Sequence, residues 1–191
     1  MAAGSSRCHH RRVPNSVTSR DDEQEHRPGA VLFVYTWDLA LAILALFGAL
    51  APFAGAVQSS SGAKPLPLAA QVIAAVSSAS YAATLIIIAA LLTRRRAWIR
   101  LTQIGTLGTA IALAAISIAV GAIVGNGIGV TALLVTLFFV LLDVLAIVVM
   151  TERRVVSWYG ERAPIPVYVW ATLALWVTGS VVNIVLEAVF H

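Results

Sequence analysis

Residues Leu66–Arg100 read LPLAAQVIAAVSSASYAATLIIIAALLTRRRAWIR. More than twenty residues pass without a charge, and then three arginines stand together. About 20 apolar residues, rising ~1.5 Å each in a helix, cross a hydrocarbon layer ~30 Å thick. Lipid offers the backbone no hydrogen bonds, so only a helix or a closed barrel can cross it. The stretch lacks the alternation of barrel strands. It predicts a transmembrane helix over 66–93, ended by the basic loop TRRRAWIR at 93–100.

The same reading extends in both directions. Apolar runs at about 30–57, 101–124, 127–151 and 165–190 are each long enough to span. The chain of 191 residues is 59% hydrophobic and only 12% charged, whereas a soluble domain carries about 25% charged residues. The fold class expected is an all-α integral membrane protein, a bundle of five transmembrane helices within 30–191. Residues 1–29 are polar, without apolar periodicity, and read as a disordered cytoplasmic tail. Gly125–Gly129 (GNGIG) suits a tight reversal between the third and fourth helices, because glycine accepts positive φ. One alternative concerns the first helix: Ala54-Gly-Ala56 has the small-x-small form of a signal-peptide cleavage site, and cleavage there would leave four helices.

Orientation follows from the basic residues. Five arginines precede helix 1, Arg94, Arg95, Arg96 and Arg100 lie between helices 2 and 3, and Arg153, Arg154 and Arg162 lie between helices 4 and 5. Only Lys64 falls on the other side. The positive-inside rule then places the N-terminus in the cytoplasm and the C-terminus outside, and the expected location is the bacterial cytoplasmic membrane. Tyr35, Trp37, Trp98, Trp158, Tyr159, Tyr168 and Trp170 cluster towards the same interface. The net charge of +4 is therefore a matter of orientation, and no nucleic-acid partner is expected.

Two acids interrupt the apolar runs. Asp38 lies about eight residues inside helix 1 from its cytoplasmic start, and Asp143 about eight from the cytoplasmic end of helix 4. Counted at ~1.5 Å per residue, both carboxyls sit ~12 Å deep, at matching levels on antiparallel helices. Asp38 shares a face with Ala42, Ala45 and Ala49, a small surface that turns it towards the bundle. Thr84, Thr106 and Thr109 stand at comparable depth as candidate hydroxyl partners. Two facing carboxylates in low dielectric repel, which favours keeping a proton on one of them. The pair is thus either a proton or cation site or a device that fixes helix register through Thr, Tyr or a loop arginine. A second polar stripe, Gly179, Asn183 and Glu187 with Gln71 nearby, reads as an outer vestibule or as packing with Glu187 at the interface.

Other chemistry lacks its residues. Cys8 is the only cysteine, and His9, His10, His26 and His191 lie outside the apolar runs, so neither a cysteine metal site nor a bis-histidine haem is expected. The sequence carries no phosphate loop, no HExxH and no nucleophile set at membrane depth. No cofactor and no enzymatic activity are expected. The leading expectation is a non-enzymatic membrane component, a homo-oligomer or an accessory subunit of another membrane protein, with lipid as its solvent. The alternative is a small proton- or cation-coupled transporter that uses Asp38 and Asp143.

Overall fold

A computed structural model describes residues 29–53, 67–124, 129–161 and 163–190, without the side chains of Glu187 and Phe190. Most of the N-terminal tail, the Ala54–Ala56 cleavage site, Lys64 and most of the Gly125–Gly129 reversal lie outside the described residues. Among those described the chain forms six helices and no strand. They are α1 (Gly29–Leu50), α2 (Leu68–Leu91), α3 (Ala97–Val124), α4 (Val130–Thr151), the short α5 (Arg153–Trp158) and α6 (Val167–Phe190). Five of the six are long and apolar enough to cross a membrane, so the chain has the make-up of a multi-pass membrane protein.

The boundaries differ from the sequence reading in three places. α1 stops at Leu50, short of the expected 57, where Ala51–Phe53 form a turn. α3 starts at Ala97, four residues before the expected 101, because the chain turns helical directly after the arginine run. Arg100 consequently lies in the first turn of α3, where its guanidinium donates to the carbonyl of Met150 at 3.4 Å. The link after α4 is also more ordered than a loop. Glu152 leaves the helix in an extended conformation, and RRVVSW winds into α5 with Val155 fully buried.

Helix α2 packs between α1 and α6. The α2–α6 approach is close because Gly179 lacks a side chain: a Cβ there would stand 3.0 Å from the Cβ of Ser77. Ser77 and Ser180 share a hydrogen bond of 3.0 Å, and Tyr81 stacks on Trp176 with centroids 4.5 Å apart. Small residues bring the backbones together, and the hydroxyls then satisfy one another across the seam.

Helices α3 and α4 join this group unevenly. The buried residues of α3 all fall within Trp98–Leu107, and those of α4 are Asp143, Ala146 and Met150. Both helices are therefore packed at their basic end and turn apolar side chains outwards beyond it, Leu134, Leu137, Phe138 and Ile123 among them. In a membrane such surfaces meet lipid or another helix at little cost.

At the basic end a clasp ties two connections together. Ala97 N–H donates to the Glu161 carbonyl at 2.9 Å, and Glu161 N–H donates to the Arg95 carbonyl at 3.0 Å. Buried Tyr159 donates its hydroxyl to the Leu92 carbonyl at 2.9 Å, and the Arg95 guanidinium lies 4.1 Å from the centre of the Trp158 ring. Arginines that would otherwise repel are spread over an aromatic face and helix-end carbonyls.

Candidate functional site

The residue pattern of α1 decides where its acid goes. Val31, Val34, Asp38, Leu41, Ala42 and Ala49 are its buried residues, and at about 100° per residue they fall along one stripe. Asp38 is fully buried on that stripe, nine residues beyond Gly29, or ~13 Å along the helix axis. Asp143 is 6% exposed and lies eight residues before Thr151, ~12 Å from that end. Asp143 on α4 and Tyr81 on α2 lie within electrostatic reach of Asp38.

Each acid is met by a neutral donor from another helix. Gln103 of α3 donates its amide N–H to Asp38 Oδ1 at 2.7 Å, with both side chains wholly buried. Trp37 of α1 donates its indole N–H to Asp143 Oδ1 at 2.9 Å. The Trp37 ring also stacks against Phe139, one helical turn from Asp143, at 5.8 Å between centroids. Adjacent residues of α1 thus face different neighbours. Asp38 accepts from α3, and Trp37 donates to α4.

The three threonines are used differently from the sequence expectation. Thr84 donates to the Ser80 carbonyl at 2.8 Å, Thr106 to Thr102 at 2.9 Å and Thr109 to Gly105 at 2.8 Å. A hydroxyl has one hydrogen, and in each case the carbonyl four residues earlier takes it. Thr84 and Thr106 are buried beside the acids' level, whereas Thr109 is only partly covered. The donors that do reach the carboxylates, Gln103 and Trp37, were absent from the candidate set. Arg100, in the first turn of α3, donates to the Met150 carbonyl instead.

No family model, no curated protein and no solved structure matches this chain.

Hydrogen-bond accounting around Asp38 is incomplete. Asp38 Oδ2 and Gln103 Oε1 are both buried and both lack a hydrogen-bond partner. They belong to the two groups already joined through Oδ1 and Nε2. Near this level α1, α2, α4 and α6 also enclose an open recess of about 300 Å³, mostly apolar, with Tyr81, Phe139, Trp176 and the Ser77–Ser180 pair in its lining.

The second stripe resolves in part. Gly179 faces Ser77 of α2, which makes it a packing position. Asn183 and Gln71 are half-buried and both have partners, and the Glu187 side chain lies outside the described residues. The aromatic cluster also divides. Tyr168 and Trp170 are about half exposed, as interfacial anchors are, but Trp98 and Tyr159 are buried and Trp37 serves Asp143.

Proposed function

We propose that this chain is a non-enzymatic component of a membrane, an accessory subunit or a homo-oligomer that associates through its helices. One observation carries the reading: both intramembrane acids are engaged by neutral donors from other helices, Gln103 on Asp38 and Trp37 on Asp143. Such an arrangement sets the rotation and height of α1 against α3 and α4. The apolar outer parts of α3 and α4 supply surface for lipid or for a neighbouring helix. No nucleic acid, cofactor or catalytic step enters this reading, and the membrane is the bacterial cytoplasmic one with the arginine-rich end inside.

A second reading has its own support. Asp38 Oδ2 has no partner, and a recess opens between α1, α2, α4 and α6, so a small proton- or cation-coupled transporter is the alternative. Purification in mild detergent with identification of co-purifying chains tests the first reading, in wild type and in Asp38→Asn and Asp143→Asn. An accessory role predicts a stable partner or self-assembly that weakens in the variants. Transport predicts intact assembly and loss of a pH-driven flux in reconstituted vesicles. A chain that is monomeric, without partners, and active in flux sinks the first reading.

A further inference from the structure

We infer that Asp38 carries a proton on Oδ2 and donates it to Oε1 of Gln103, closing a two-point acid–amide pair between α1 and α3. The argument is one of donors and acceptors. The Gln103 amide already gives a hydrogen to Asp38 Oδ1 at 2.7 Å. What remains on the two planar groups is an acceptor on each, Oδ2 and Oε1, both buried and both without a donor. A buried acceptor left alone costs about 1–3 kcal/mol, and more when it carries charge. An ionised Asp38 leaves two such atoms. A single proton on Oδ2 serves both, because a carboxylic acid presents one donor and one acceptor to an amide that presents the reverse.

The surroundings favour a proton over a metal ion as the occupant. Among the described residues no three His, Cys, Asp or Glu side chains stand together. Gln103 from α3 bonds Asp38 directly, and Asp143 from α4 and Tyr81 from α2 are the titratable groups within electrostatic reach of it. Arg100, on the same face of α3 as Gln103, is directed to the Met150 carbonyl. Helix α6 reaches the neighbourhood through Trp176, stacked on Tyr81. Asp143 leaves no comparable buried orphan. The proton comes from water and returns to it, with no change in any covalent bond other than O–H. Its departure sets two acceptors against each other and removes one of the two links between α1 and α3. The pair is therefore a pH-sensitive lock, in an accessory subunit and in a transporter alike.

Infrared difference spectroscopy of the full chain in lipid nanodiscs tests this at neutral pH. The expected result is a carboxylic-acid C=O band that shifts in heavy water. It persists in Asp143→Asn, disappears in Asp38→Asn and moves in frequency in Gln103→Leu. Melting temperature gives a second readout. The folded wild type binds one more proton than the unfolded chain, so its stability falls as pH rises and the proton is lost. Asp38→Asn does not show this fall, because its amide offers an N–H to Gln103 Oε1 at every pH. Absence of an acid band in the wild type overturns the proposal whatever the variants do. A band that survives in Asp38→Asn but not in Asp143→Asn assigns the proton elsewhere and overturns it equally.

Discussion

Trp37 shows how much one side chain's role depends on what stands opposite. By composition it belongs to an interfacial belt, yet its indole N–H is committed to Asp143 and its face to Phe139. Replacing it with phenylalanine keeps the ring contact and removes the donor. Hydrogen bonds between membrane helices are worth ~0.6–2 kcal/mol, because the separated helices also find partners. Trp37→Phe is expected to cost a free energy in that range, read as a lower melting temperature in detergent. Asp143→Leu in the Trp37→Phe background is expected to recover part of it, since removing both partners strands no acceptor. Losses that simply add would mean that the two side chains are not coupled. The sequence made Asp38 and Asp143 visible because charge inside an apolar run is costly and conspicuous. It hid Gln103 because a helix start placed at 101 puts that residue in the first turn. With the start at Ala97, Gln103 lies six residues in, at ~9 Å, and is the nearest long polar side chain to the acid's level.

At the scale of elements, spans were legible and seams were not. Apolar length alone marks the five long helices, since lipid requires it. Which helices touch depends on small residues whose spacing recurs by chance in alanine-rich segments, and the α2–α6 seam became clear only when Gly179 was seen over Ser77. Two glycine substitutions separate a seam from an open face. A Cβ at Gly179 meets Ser77 at 3.0 Å, and Gly179→Val is expected to push α2 from α6 and cost roughly 1–3 kcal/mol of thermal stability. A Cβ at Gly48 meets only Ser78 Oγ at 3.7 Å. Gly48→Ala is expected to be neutral or to stabilise slightly, as a glycine in a helix is replaced by the best helix former. Equal effects at the two sites, measured by thermal denaturation in the same detergent, would remove the α2–α6 seam as the explanation.

For the whole molecule the arginine distribution predicts sidedness. In a Cys8→Ser background, Ser157→Cys is expected to resist a membrane-impermeant maleimide until expressing cells are permeabilised. Phe53→Cys, at the opposite end of α1, is expected to react in intact cells. Both positions are exposed, so access depends on the side of the membrane rather than on burial. The reverse labelling pattern would invert the molecule and move both acids to the outer half. Function was the least legible property: the sequence carries no catalytic or ligand motif, and which acceptors find donors across helices is set by residues far apart in the chain.

The clasp at the basic end carries one last consequence, a matter of parity. Glu161 donates its backbone N–H to the Arg95 carbonyl and accepts from the Ala97 N–H, while α3, α4 and α5 lie between Arg95 and Glu161 in the chain. With α3 and α4 placed across a bilayer, as proposed, two segments can bond in this way only if the intervening chain crosses it an even number of times. A molecule in which α3 entered and α4 failed to return would leave Glu161 on the far side, with the backbone groups of Arg95 and Ala97 unanswered. The clasp thus distinguishes a correctly threaded chain from one that has lost a single crossing. It can form only after the α3–α4 hairpin is complete.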